Sequence, residues 1–142
     1  AIGRQTYSYK HKDGSFRSEL ANARTFCQLR DVELMQNAGL ALGGSLNNAI
    51  VVDNGKILND GGLRIEREFV RHKVLDCLGD LFLIGMPVNA EMTVERPGHA
   101  LSTKLVQALL SDSTNYEVVE AGKEYDGSGS FTMPELAAAA MA

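Results

Sequence analysis

Apolar and polar positions along the chain predict a mixture of strands and helices. Thr6-Tyr7-Ser8-Tyr9-Lys10 alternates, and His11-Lys12-Asp13-Gly14-Ser15 reads as a turn. Residues 1–20 therefore predict a strand, a hairpin turn and a second strand. Between Ser18 and Gly39 the pattern predicts a loop and then a helix. Asp31 is its expected cap, Val32, Leu34 and Met35 its apolar side, and Gly39 its stop. Leu40-Ala41-Leu42-Gly43-Gly44-Ser45 is glycine-rich but lacks the Lys-Ser/Thr of a phosphate-binding loop. Ala49-Ile50-Val51-Val52 predicts a buried strand, Asp53-Asn54-Gly55-Lys56 a tight turn, and Ile57-Leu58 the next strand. Asn59-Asp60-Gly61-Gly62 is a further turn.

The strongest periodicity runs from residue 64 to about 84. Val70, Val74, Cys77, Leu78 and Leu81 recur at helical spacing, and Gly85 and Pro87 close the segment. Glu91-Met92-Thr93-Val94-Glu95 alternates like a strand. Pro97-Gly98 then turns into a helix from His99 to about Ser111, with Leu101, Leu105 and Leu109 on one face. Residues 116–120 predict a last short strand, and the Gly/Ser- then Ala-rich residues 126–142 a loosely held tail. No strand–helix rhythm repeats. The expected class is α+β, a two-layer sandwich of a mixed sheet with helices packed on one face.

The chain has 142 residues, enough to bury a core, with 44% hydrophobic and 23% charged residues, which argues against disorder. No apolar run is long enough to span a bilayer. The net charge of −4 argues against a nucleic-acid binder. Cys27 and Cys77 form no CxxC pair, which fits a reduced cytoplasmic protein. The chain opens on Ala1, and no signal-peptide pattern follows; it is expected to be a piece of something longer.

His72 and Asp76 lie four residues apart on the strongest helix. That spacing puts their Cβ atoms about 5–6 Å apart, within reach of one zinc ion, which accepts imidazole and carboxylate. Asp80 continues the line and Lys73 adjoins it. On the helical wheel His72 lies opposite the Val70–Val74–Cys77–Leu81 arc, so the stripe is expected to face away from the sheet. A solvated face has the same pattern, and two residues do not complete a zinc site. His99 begins the second helix, where the macrodipole disfavours its cation. A carboxylate such as Asp80 would restore it as a general acid; from the residues alone, a surface histidine helping to cap the helix is the favoured reading.

Several stretches add up in order and spacing. They are Ala23-Arg24-Thr25-Phe26, Gly39-Leu40-Ala41-Leu42-Gly43-Gly44-Ser45, Asn48-Ala49-Ile50-Val51-Val52, Leu58-Asn59 and Gly62-Leu63-Arg64. Glu68-Phe69-Val70-Arg71-His72-Lys73-Val74-Leu75-Asp76, Gly79-Asp80-Leu81 and Pro97-Gly98-His99-Ala100-Leu101 follow. The series resembles the C-terminal domain of the UDP-3-O-acyl-N-acetylglucosamine deacetylase family, zinc amidases of lipid A biosynthesis in Gram-negative bacteria. It covers roughly residues 19 to 110.

The resemblance implies that His72 and Asp76 are two zinc ligands and that Lys73 contacts the nucleotide-sugar substrate, UDP-3-O-acyl-N-acetylglucosamine. It implies that Asp80 orients His99, which stabilises the oxyanion or protonates the leaving amine, and that Thr25 polarises the amide carbonyl. Phe26, Leu42, Gly44 and Ser45 would belong to a strand–helix–strand insert, about residues 25–55, that holds the acyl chain. Where the family has Gly and an aromatic residue after Thr-Phe, this chain has Cys27 and Gln28. The family's third zinc ligand, a His, and its general base, a Glu, belong to an N-terminal domain with no counterpart here. His11 lies outside any such motif. Residues 1–125 are thus expected to be the C-terminal deacetylase domain, inactive alone, with the N-terminal domain of the same enzyme as its partner. The rival expectation is a non-catalytic scaffold domain that binds a nucleotide-lipid through Arg71, Lys73 and the apolar insert.

Overall fold

A computed structural model of the chain describes residues 1–120. The expected tail, residues 126–142, and residues 121–125 lie outside the described residues. The chain divides into two compact units, Ala1–Leu78 and the residues from Gly79 onward. The fold class is α+β, with a mixed three-stranded sheet.

In the first unit, β1 (Thr25–Gln28) leads directly into α1 (Leu29–Asn37), and the chain returns as β2 (Ala49–Asp53). β1 and β2 pair in parallel, with Phe26 opposite Ile50 and Cys27 opposite Val51. Parallel neighbours need a crossover, and α1 supplies it, which gives the expected strand–helix–strand insert. β3 (Lys56–Ile57) pairs antiparallel with β2, Val52 opposite Ile57. The Asn54-Gly55 turn has both φ values positive, at 46° and 78°, as a two-residue hairpin requires.

α1 ends as Gly39 predicts. Gly39 has φ of 75°, its N–H donates to the Gln36 carbonyl at 2.9 Å, and the Leu40 N–H reaches the Met35 carbonyl at 2.8 Å. These are the two bonds of a glycine-stopped helix. Asp31 lies in the first turn instead of capping; the cap position is Gln28, the last residue of β1.

β2 is buried along Ala49 to Val52. Ile50 and Val52 point to one face and pack with Phe69, and Ile2, Phe26, Ile57 and Leu63 close around them. Asn59, from the predicted turn, is buried and acts as a splice. Its Oδ1 accepts the Val51 N–H at 2.9 Å, and its Nδ2 donates to the Ala49 and Leu46 carbonyls, each at 2.7 Å.

α2 runs over Glu68–Leu81, four residues later than residue 64, because Arg67 sits at φ 55° and breaks the helical path. The side that packs on the sheet carries Phe69, not the Val70–Val74 arc. Cys77, about 80° round the helix from Phe69, is buried as well.

Residues 1–20 form no strand. The Tyr7 hydroxyl donates to Glu19 at 2.6 Å, and the Tyr9 hydroxyl bonds Ser15 at 2.9 Å, so the alternating side chains fold back onto a π-helical turn, Phe16–Leu20. Residues 91–95 and 116–120 also form no strand: alternation alone does not bring up the neighbouring strand that a ladder needs.

The second unit contains the short 3₁₀ turn Phe82–Ile84, closed by Gly85 at φ 82°, and α3 (His99–Leu110). Val106 is the buried residue of α3; Leu105 and Leu109 beside it are half-buried, and Leu101 is exposed. No helix among the described residues is long and apolar enough to cross a membrane.

Candidate active site

Phe69, His72 and Asp76 share one face of α2, at spacings of three and four residues. Phe69 is packed into the core, so His72 and Asp76 are carried inward with it. Their side chains are only 13% and 12% exposed. The stripe therefore does not face away from the sheet: the wheel placed Val70 and Val74 in the core arc and overlooked Phe69, the largest apolar side chain of the helix.

The surroundings explain how these polar groups tolerate burial. His72 Nδ1 lies 3.0 Å from the Ala23 carbonyl oxygen. A carbonyl only accepts, so Nδ1 carries the proton and donates. His72 Nε2 faces Asp76 Oδ1 at 3.2 Å. A lone pair aimed at a carboxylate needs a proton or a cation between them. The other Asp76 oxygen accepts from Lys73 Nζ at 2.8 Å. Lys73 also lies 5.4 Å over the Phe26 ring, an attractive arrangement for a cation. Phe26 stands edge-on to Phe69, with centroids 5.1 Å apart, and 6.3 Å from the His72 ring. His72, Lys73, Asp76 and Phe26 thus form one cluster.

Thr25 is exposed at the start of β1, directly after Arg24. Arg24 is buried against Glu68, the first residue of α2, which is 0% exposed. Burial pushes the Glu68 carboxyl up, but hydrogen bonds from Arg24 and Arg64 outweigh it and hold the carboxyl below its ordinary range. The same pairing raises the Arg24 pKa.

In the second unit, His99 Nδ1 lies 2.9 Å from Asp80 Oδ1 and 3.1 Å from Oδ2. Asp80 is 15% exposed and His99 70%. The ring nitrogen donates to the carboxylate, which leaves His99 Nε2 on the open side. Sequence reasoning anticipated this pairing. It offered no sign of the Ala23 carbonyl or of Glu68 as parts of the first cluster; the one available signal was that Glu68 stands four residues before His72.

Leu42 is 74% exposed, in a loop whose neighbours Leu40 and Leu46 are also exposed. Gly44 closes a turn with its N–H on the Ala41 carbonyl at 2.9 Å, and the Ser45 N–H donates to Asn48 Oδ1 at 2.8 Å. The loop joining α1 to β2 is therefore internally bonded and presents leucines outward. His11 bonds Tyr9 at 3.0 Å. Among the described residues, no group of three or more His, Cys, Asp or Glu is arranged to hold a metal ion.

The chain matches the family model of UDP-3-O-acyl N-acetylglycosamine deacetylase over residues 1–111, and it belongs to that family. Proteins named UDP-3-O-acyl-N-acetylglucosamine deacetylase are similar to it. The one from Campylobacter fetus is 48% identical over 128 residues, 87% of this chain and 44% of that protein. The one from Myxococcus xanthus is 51% identical over 126 residues, 88% of this chain and 40% of that protein. The one from Psychrobacter arcticus is 53% identical over 105 residues, 74% of this chain and 33% of that protein. The chain spans less than half the length of these curated relatives.

Proposed function

We propose that the chain is the C-terminal half of a zinc-dependent amidase that removes the acetyl group from UDP-3-O-acyl-N-acetylglucosamine, a step of lipid A biosynthesis, in the cytoplasm. The observation that carries this reading is the His72–Asp76 pair, with one ring nitrogen anchored on a backbone carbonyl and the other turned to a carboxylate. Histidines that hold zinc use this arrangement, since the anchored nitrogen fixes the tautomer and the free one binds. His72 and Asp76 fit as two of the ligands, and the N-terminal domain of the same enzyme supplies the third, together with a glutamate base. Bound zinc lowers the pKa of a water and polarises the acetamide carbonyl.

The chain's own residues have distinct tasks. Asp80 holds His99 through Nδ1, which leaves Nε2 to stabilise developing charge or protonate the leaving amine. Thr25 offers a hydroxyl to the carbonyl oxygen. Lys73 offers a cation to the nucleotide sugar and keeps Asp76 oriented until substrate binds. Phe26 and the Leu42–Gly44–Ser45 loop offer apolar surface to the acyl chain.

The test is acetate release from the acylated nucleotide sugar by the protein carrying both halves, beside zinc analysis. His72→Ala and Asp76→Ala should each lose zinc and turnover, and the chain alone should bind the ion weakly and turn over nothing. Full turnover in His72→Ala would overturn the reading. Substrate binding without turnover by the two-half protein would favour the scaffold reading instead.

A further inference from the structure

One peptide group connects Glu68 to His72. The amide between Ala23 and Arg24 gives its carbonyl oxygen to His72 Nδ1 at 3.0 Å and its N–H to Glu68 Oε1 at 3.0 Å. Glu68 and His72 stand one helical turn apart on α2, so a single trans peptide plane is gripped at both ends by the same helix. Glu68 is itself immobilised. Its Oε1 also accepts from Arg24 Nε at 2.8 Å, and its Oε2 from Arg24 Nη2 at 3.1 Å and the Arg64 N–H at 2.6 Å. A hydrogen bond to the N–H of an amide polarises its carbonyl and strengthens the bond that carbonyl accepts. The negative charge of Glu68 therefore reinforces the acceptor that holds His72.

We propose that Glu68 is a positioning residue for His72, acting through the Ala23–Arg24 peptide plane to fix the Nδ1–H tautomer and to aim Nε2 at Asp76. The proposal rests on the metal-site reading for its consequence in zinc affinity, but not for the tautomer itself. Carboxylates commonly orient metal-binding histidines by direct contact. Here an amide is interposed, and the carboxylate grips the backbone in place of the ring.

The test uses the full chain, metal-free and zinc-titrated, in mildly alkaline buffer. Long-range ¹⁵N–¹H correlation reads the protonated nitrogen of His72, and competition with a chromophoric chelator reads zinc affinity. Arg24→Met/Glu68→Leu replaces the buried ion pair by apolar side chains, an exchange that folds commonly tolerate. It should leave the fold and shift His72 from one tautomer to a mixture, with zinc affinity lowered by roughly ten- to a hundredfold. Glu68→Asp withdraws the carboxylate by one methylene while keeping its charge, and should give the same mixture; it decides the matter if the double variant does not fold. Glu68→Gln keeps an oxygen acceptor for the Arg24 N–H but loses the charge, and should restore the single tautomer only in part. A folded double variant or Glu68→Asp with unchanged tautomer and affinity overturns the proposal. A protein carrying both halves that takes up no zinc refutes the metal reading, and the tautomer comparison still decides the role of Glu68.

Discussion

Phe69 joins the core to the site, which makes Phe69→Ala the most informative single substitution. The side chain is 2% exposed and packs on Ile50 and Val52. Truncating a buried Phe costs about 3–5 kcal/mol, from lost burial and the cavity left behind. The edge-on ring pair with Phe26, at 5.1 Å, accounts for ~0.5–1.5 kcal/mol of that. Against a total stability of about 5–15 kcal/mol, the variant should remain folded but clearly weakened. Urea unfolding followed through the backbone amide signals of residues 49–53 measures it. With a slope of about 1–3 kcal/mol/M, the midpoint should fall by at least ~1 M at unchanged slope. Phe69→Leu fills most of the space and should cost about 1–2 kcal/mol. A midpoint shift under ~0.5 M for Phe69→Ala would mean that the sheet is not closed by α2 in this way.

Other outcomes follow from charge and metal. The Glu68 carboxyl is held below its ordinary range in the folded chain, so it contributes stability above the unfolded value of about 4.3 that is lost as pH falls through its folded value. The stability gap between wild type and Glu68→Gln should therefore narrow on acidification below about pH 4, and a gap independent of pH would refute this. In the protein carrying both halves, His99→Ala should lose ~10²–10³ in turnover and keep its zinc, because His99 contacts Asp80 and lies outside the proposed ligand set. Zinc lost in proportion to activity would make His99 a ligand. The chain should fold without metal, since Ile50, Val52 and Phe69 pack independently of any ion. Thermal midpoints with and without a strong chelator should agree within roughly 4 °C, the equivalent of about 1 kcal/mol for a domain near this size.

What the sequence made legible was local. The β2 run, the Asn54-Gly55 turn, the Gly39 stop and α3 each depend on residues within a few positions of one another. Asp80 and His99 were paired first as a carboxylate restoring a cation at a helix start and again through the family resemblance, and the structure places them in contact. The Arg24–Glu68 bridge was not legible, because its partners are 44 residues apart and a charged pair reads as surface until its burial is seen. The face of α2 was misread for a related reason. Helical-wheel reasoning assigns polar residues outward, whereas the side chains of His72 and Asp76 are mostly covered, with partners on each other, on Lys73 and on the backbone. The alternating stretches near residues 7, 93 and 118 failed because a strand is defined by its neighbour, and alternation says nothing of whether one is present.

The same contrast of separations orders the events of folding. The Asn54-Gly55 hairpin closes a handful of residues and can form in about 1–10 μs. The contact of Arg24 with Glu68 must first bring together segments 44 residues apart, and it meets the larger chain-closure entropy. Substitutions in the hairpin should therefore slow folding, while loss of the Arg24–Glu68 contact should mainly hasten unfolding; the reverse partition in a chevron analysis would refute that order. Because the peptide plane beside His72 is completed only with that contact, the proposed ligand pair would not be preformed in the nascent chain. A chain still folding in a cell would pass its early stages as a poor competitor for whatever ions surround it.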